Sequence, residues 1–193
     1  MTAVLPTLHL LCHPATPCPL VLQVSVTLHG QAGGLQLHYQ VAGQVEGIQL
    51  PPEAPPGAAD GLWQHTCMEA FVSPVLAAHY SEFNFSPSGQ WAAYCFSAER
   101  QRDTNAEARR PIQPTLRMEH MSDRLDLWAE LPATALPPAP RLCLGLSAVI
   151  ETRDGHRSYW ALQHPRPARP DFHHRGGWRE MPSIAPHPPA TPA

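Results

Sequence analysis

The chain has 193 residues, a formal net charge of −3, 15% charged residues and 24 prolines. This length allows one domain with a substantial core, and a weakly acidic chain without a basic run excludes nucleic acid as a main partner. The prolines recur too often for the long helices of a bundle, and no run is long and apolar enough to span a membrane.

The first residues and the cysteines indicate the compartment. Residues 1–11 are apolar but contain no Lys or Arg and include Pro6. A secretory signal peptide carries a basic start and a small-residue cleavage site, so we expect a cytoplasmic protein. Cys67, Cys95 and Cys143 lie in apolar runs without any CxxC pair, which favours free thiols.

Short apolar runs separated by turn residues occupy the first part of the chain. Leu- and Val-rich runs cover residues 7–11 and 20–29, and a clean polar–apolar alternation covers 35–41. After a Pro-rich loop at 51–57, a long and mostly apolar run covers 62–72. We predict a strand for each run, with 62–72 central in its sheet.

Residues 80–96 predict a β-hairpin. Phe83 and Phe85 alternate with Glu82 and Asn84, so the phenylalanines face one way and the polar pair faces the other. The Ser-Pro-Ser-Gly sequence that follows supplies the turn. The hairpin therefore places a carboxylate and an amide together on one face of a sheet.

The last part of the chain predicts a polar surface segment, a second hairpin and two further strands. Residues 98–110 are polar without a hydrophobic face and predict an exposed loop or a short surface helix. Residues 115–119 and 125–131 predict a second hairpin, and 142–151 and 158–162 predict two more strands.

About ten short strands with regular turn signals predict the fold. We expect an all-β protein, an antiparallel two-sheet β-sandwich of jelly-roll or immunoglobulin-like type. We assign residues 1–178 to one domain and expect a disordered tail over 179–193.

Four polar residues lie inside otherwise apolar strands: Glu69, Glu82, Asn84 and Glu151. They either face solvent from one side of a sheet or line a polar cleft. In such a cleft, carboxylates and amides form paired hydrogen bonds with sugar hydroxyls. These four residues are therefore candidate ligand-binding residues.

Two of the five tryptophans are candidates for stacking on a sugar ring. Trp63 and Trp160 flank predicted turns or loops, where an indole offers a flat apolar face beside polar groups. We expect most of the other indoles to lie in the core.

Catalytic motifs are missing from the sequence. The turn at 86–89 lacks the Gly-x-Ser-x-Gly frame, and neither GxGxxG nor a phosphate loop occurs. Glu82 with Glu69 or with Glu151 offers, in principle, a glycosidase carboxylate pair. The pattern as a whole favours a protein that is not an enzyme.

A histidine-rich segment raises the question of a metal. His164, Asp171, His173 and His174 carry suitable ligand groups. Their spacing matches no closed zinc site, and adjacent histidines in an extended chain point opposite ways. We favour a loop that packs across the sandwich and forms hydrogen bonds through Asp171, with no metal.

Haem is the alternative cofactor, and otherwise we expect none. Met68, Met118 or Met121 with a histidine would supply an axial pair. Covalent attachment is excluded because no CxxCH motif occurs. Nothing in the spacing selects one Met–His pair over another.

Three blocks, in order, carry a family resemblance. They are residues 62–72, residues 80–94, and the run made of 147–151, 158–162 and 170–174. On these blocks the chain resembles the DOMON-like domains related to family 9 carbohydrate-binding modules, and it looks like their small bacterial stand-alone branch. The resemblance implies a β-sandwich that binds sugars or haem.

We therefore predict a non-catalytic module that binds a carbohydrate or sugar derivative through the two candidate indoles and the four polar strand residues. The alternatives are a haem-binding domain, and a protein-interaction module without a small ligand, which a large exposed apolar patch would mark. The sequence identifies no protein partner.

Overall fold

The computed structural model describes residues 3–4, 7–31 and 34–182. These residues form fourteen β-strands and one short α-helix. The strands are β1 (Ala3–Val4), β2 (Leu8–Cys12), β3 (Val21–Gln31), β4 (Gly34–Gly43), β5 (Gly57–Ala58), β6 (Cys67–Pro74), β7 (Tyr80–Phe85), β8 (Gln90–Ala98), β9 (Gln101–Arg102), β10 (Thr115–His120), β11 (Arg124–Pro132), β12 (Arg141–Glu151), β13 (Arg157–Ala161) and β14 (Arg179–Pro182). The helix α1 is Thr104–Arg109, and 3-10 turns cover Val45–Gly47, Leu62–Gln64, Ala133–Ala135 and Arg175–Gly177.

The strands follow one hydrogen-bonded path, in the order β10-β11-β4-β3-β2-β13-β12-β6-β7-β8-β5, with β1, β14 and β9 paired alongside. The chain is thus mostly β, as predicted. It differs from two separate antiparallel sheets in two respects: β2 pairs with β13 and joins the halves, and β5 runs parallel to β8. The β2–β13 pairing satisfies two strand edges that would otherwise be open.

The two halves of this path pack face to face around the main core. We call β1–β4, β10 and β11 the first half, and the remaining strands the second half. The core side chains include Val24, Tyr39 and Leu127 from the first half and Met68, Phe83 and Leu146 from the second. The Tyr39 hydroxyl donates a 2.7 Å hydrogen bond across the core to the backbone oxygen of Glu69.

Strand β6 is central, as predicted, because it lies between β12 and β7. It begins at Cys67 instead of Leu62, since Gly61 adopts a left-handed conformation with φ of 75° and starts a 3-10 turn. The predicted hairpin is present as β7 and β8, with Gly89 at a φ of 92° in its turn. The predicted loop or helix at 98–110 contains β9 and α1.

The end of the chain differs from the predicted tail of residues 179–193. Residues 179–182 form β14, which pairs with β12 and buries Met181 in the main core. The rest of that predicted tail, residues 183–193, lies outside the described residues.

Within the described ranges, no helix is long and apolar enough to cross a membrane.

Candidate functional site

A second apolar cluster lies on the outer face of the second half. Its members are Phe71, Tyr80, Ala92, Tyr94 and Phe96, with Leu62, Phe172 and Trp178 packed against them. Strands β6 and β7 alternate between the two faces and are buried on both, so their outward side chains are enclosed as well. The loops that enclose this face leave a cavity.

This cavity has a volume of about 890 Å³. Its aromatic lining consists of Trp63, Phe71, Tyr94, Phe96, Tyr159 and Phe172. Its polar lining consists of Asp60, Gln64, Glu69, Glu82, Arg100, Arg102, Asp171 and His173. An apolar wall with a few converging polar groups is the usual composition of a small-molecule site.

Buried polar side chains of β6 and β7 form the floor of the cavity. Glu69 and Glu82 are only 3% and 5% exposed. Glu69 lies directly opposite Asn84 across the two strands, so all three side chains share the outer face. Asn84 donates a 2.8 Å hydrogen bond to Glu82 Oε1, and the Ser147 hydroxyl donates one of 3.2 Å to Glu69 Oε2.

Both floor carboxyls hold their protons more tightly than usual. Burial raises the pKa of Glu69 well above its ordinary value, and the neighbouring Glu82 adds to that shift. Burial raises the pKa of Glu82 from 4.5 to about 7, although the hydrogen bond from Asn84 and the charge of Arg100 act the other way. The floor is thus a pair of neighbouring buried carboxyls, both of which bind their protons more tightly than a free glutamate does.

His173 links the floor to the second aromatic cluster. The Tyr80 hydroxyl oxygen accepts a 3.1 Å bond from the Arg100 backbone N–H and forms a second hydrogen bond with His173 Nδ1 at 2.7 Å. The other ring nitrogen, Nε2, faces Glu82 Oε2 at 3.6 Å. Burial and the charge of Arg100 lower the pKa of His173 from 6.5 to about 4, which keeps the ring neutral at pH 7.

Arginines form the rim of the cavity, and each has a carboxylate partner. Arg100, in a left-handed backbone conformation with φ of 58°, donates to Asp171 Oδ1 at 2.8 Å. Arg166 also contacts this buried aspartate, at 3.3 Å. Arg102 stacks over the Tyr94 ring at 4.4 Å and forms a bidentate pair with Glu107.

The structure brings together some of the six predicted ligand residues. Trp63, Glu69 and Glu82 line the cavity, and Trp63 is 52% exposed. Asn84 supports Glu82 from the same face, as described above.

The other two predicted ligand residues lie elsewhere. Glu151 is outside the cavity lining and accepts a 2.7 Å hydrogen bond from His65 Nδ1. Trp160 is buried in the main core, where its indole N–H donates to Ser158 at 3.0 Å.

The four candidate metal ligands are also separated. Asp171 and His173 line the cavity, whereas His164 Nε2 bonds to the backbone oxygen of Leu11 at 2.8 Å. His174 accepts from a backbone N–H at 3.1 Å. Among the described residues, no three His, Cys, Asp or Glu side chains are placed to hold a metal ion.

None of the three methionines considered for haem ligation lines this cavity. Met68 is buried in the main core, Met118 packs against that core, and Met121 is exposed beyond β10. Of the described lining residues, His173 is the sole histidine. Among the residues that the structure describes, no Met–His pair therefore faces the cavity.

Large exposed apolar side chains are few in the described part of the chain. They are Leu11, Trp63, Leu76 and Met121, in four separate segments. Trp63 alone among these four also lines the cavity.

Sequence reasoning missed several lining residues, and for two of them a signal existed. Once the hairpin turn is placed, antiparallel pairing sets Tyr94 opposite Glu82, and alternation then puts Phe96 on the same face. Arg100 and Arg102 carried no such signal, because they lie in the polar segment 98–110, which has no hydrophobic face.

Comparisons with known proteins show which solved structures share the fold of this chain. No family model matches the chain, and neither does any curated protein. A proposed carbohydrate-binding protein from Bacteroides uniformis is similar in structure, with a TM-score of 0.63 and 15% identity over 92% of this chain and 85% of that one. A family 9 carbohydrate-binding module from Caldicellulosiruptor kristjanssonii, in complex with cellotriose, matches with a TM-score of 0.57 and 9% identity over 89% and 80%. At these identities the likeness shows a shared fold, and the DOMON-like relation stays a prediction.

Proposed function

We propose that this protein is a non-catalytic module that binds a small carbohydrate in the cavity on the outer face of the second half. The observation that carries the proposal is the cavity itself. A buried polar floor of Glu69 and Glu82 lies below an aromatic wall, and the half-exposed indole of Trp63 lies at the edge. Sugars have polar edges and apolar faces, which match these two surfaces.

Size and fold both support this proposal. A cavity of 890 Å³ falls in the range of about 300–1,000 Å³ that is usual for small-molecule sites. The fold is shared with a module whose structure contains cellotriose and with a proposed carbohydrate-binding protein. Cellotriose is therefore a reasonable first probe for this chain.

The test is a titration of the protein with cellotriose, in which calorimetry and tryptophan emission measure binding. We expect saturable binding, and we expect Trp63→Ala to weaken it about tenfold because stacking on an indole contributes roughly 1 kcal/mol or more. Since Trp63 is 52% exposed, its loss should change the melting temperature little.

Trp128→Ala is the matched control. Its indole stacks on His38 and lies under Arg117 in the first half, away from the cavity. We expect that variant to bind like the wild type. Absence of saturation in the wild type, or equal affinity in Trp63→Ala, would contradict the proposed site.

The proposal that the protein does not hydrolyse its ligand has its own test. The protein is incubated with cellotriose and the products are separated by chromatography. We expect intact trisaccharide, and turnover that disappears in Glu82→Gln would show a glycosidase pair instead.

A further inference from the structure

Within the part of the chain that the structure describes, neither floor carboxyl forms an ion pair with an arginine, and the ring nearest Glu82 is that of His173. Asp171 has two arginine partners, and Asp60 accepts a 2.7 Å bond from the Tyr94 hydroxyl. Glu69, in contrast, has only the neutral hydroxyl of Ser147 within the described residues, and it forms no ion pair there. A carboxyl this deeply buried without a cationic partner retains its proton, in line with the raised pKa of Glu69, and a cation bound beside it would stabilise the ionised form.

The groups next to Glu69 add acceptors and no free cation. Asn84, directly opposite, uses its amide N–H to bond Glu82, and its buried Oδ1 has no hydrogen-bond partner. The ring facing Glu82 is the neutral imidazole of His173. The two floor carboxyls thus have mainly acceptors and a neutral ring around them, so a ligand group with several donors would complement them.

Nearby positive charges are already engaged at the rim. Arg100 and Arg102 each pair with a carboxylate, Asp171 and Glu107 respectively. An anionic ligand would have to compete with those pairs and would also face the floor carboxyls. The charge distribution of the cavity therefore favours a cation over an anion.

We propose that the ligand is an amino sugar whose primary ammonium group binds between Glu69 and Glu82. The inference rests on the proposed function and narrows its ligand class. An ammonium group supplies three donors and one positive charge, which matches the two carboxyls that line the cavity floor. The aromatic wall suits such a ligand as well, because aromatic faces attract cations.

Three β-1,4-linked trisaccharides that differ only at carbon 2 provide the test. They are cellotriose with hydroxyls, the glucosamine trimer with ammonium groups, and the N-acetylglucosamine trimer with neutral acetamides. We expect the glucosamine trimer to bind at least about tenfold more tightly than either neutral trimer near neutral pH. Glu69→Gln and Glu82→Gln keep the side-chain shape and should each remove most of that preference.

Glu46→Gln is the matched control, since Glu46 is an exposed carboxylate in a 3-10 turn outside the cavity lining. We expect it to retain the wild-type preference. Because the readout is a ratio of affinities within one protein, a modest loss of stability in a variant does not affect it.

Proton release gives a second readout. The other titratable or charged groups around the floor are Asp60, Tyr80, Tyr94, Arg100, Arg102, Tyr159, Asp171 and His173. At about pH 6 the amino groups are charged and Glu82 is mostly protonated, so binding of the glucosamine trimer should expel a proton. Calorimetry in two buffers of different ionisation enthalpy, neither one a primary amine, measures this release, and Glu82→Gln should reduce it.

The outcomes separate the two proposals. If cellotriose binds and the glucosamine trimer binds no better, the amino-sugar inference is wrong while the carbohydrate proposal stands. If no trimer binds, both are wrong. A preference for the ammonium form that survives in both glutamine variants would also overturn the inference.

Discussion

Glu82 is a carboxyl whose burial has a consequence for stability. Its pKa is about 7 in the folded protein, against an ordinary value of 4.5. Between these values the folded chain holds a proton that the unfolded chain has lost, so the Glu82 contribution lowers the free energy of unfolding as pH rises. Glutamine does not titrate, so replacement of Glu82 with glutamine removes this fall in the free energy of unfolding.

We therefore expect Glu82→Gln to be more stable than the wild type at pH 8, by on the order of 1–3 kcal/mol, and the gap to shrink toward pH 4.5. The low pKa of His173 produces the opposite slope, but this residue is present in both proteins and its contribution largely cancels. Urea unfolding of both proteins across this pH range gives the difference. A gap that does not change with pH would contradict the raised pKa.

At the scale of single residues, the sequence already predicted much of the cavity floor. Alternation along β7 indicated that Glu82 and Asn84 share the face opposite Phe83 and Phe85, and the structure agrees. The sequence did not predict that His173 would face Glu82. That contact joins residues 91 positions apart, and no local pattern encodes it.

At the scale of elements, the segment of residues 170–178 covers one side of the cavity. Trp178 packs on β12 where Gly145 leaves room, and its indole N–H donates a 2.8 Å bond to the backbone oxygen of Phe172. Phe172 in turn lines the cavity. The position of one cavity wall therefore depends on a glycine in a neighbouring strand.

Gly145→Ala should displace this segment. A β-carbon at residue 145 would lie 2.6 Å from two atoms of the Trp178 indole and 3.1 Å from the β-carbon of Phe71. We expect a loss of roughly 1–3 kcal/mol in stability, a red shift in tryptophan emission, and weaker ligand binding through the displaced Phe172.

Gly57→Ala is the control for that prediction. Its added β-carbon would approach nothing closer than 3.9 Å, so we expect wild-type emission and stability. If Gly145→Ala behaves like Gly57→Ala, the indole has room to move and does not fix the cavity wall.

Elements were predicted well where they alternate and less well where a loop sets their ends. The hairpin of β7 and β8 was predicted because its alternation and turn agree. The predicted strand at 62–72 lost its first residues to a 3-10 turn because Gly61 redirects the chain there. The chemistry of that turn, and not strand period, places Trp63 at the cavity.

At the scale of the whole molecule, the two halves share one core. Sequence patterns predicted a mostly β chain, but the pairing of β2 with β13 could not be inferred, since it joins strands about 150 residues apart through a short ladder. This pairing and the common core make the halves one structural unit.

We therefore expect a single cooperative unfolding transition, with the same midpoint by tryptophan emission and by circular dichroism. Tyr39→Phe removes the hydroxyl that joins the halves through the backbone oxygen of Glu69, and should lower the free energy of unfolding by about 1 kcal/mol without changing the denaturant slope. Tyr159→Phe is the control, because that hydroxyl makes no hydrogen bond to another described residue. Two separate transitions in the wild type would show that the halves unfold independently, and the cavity in the second half would then not depend on the first.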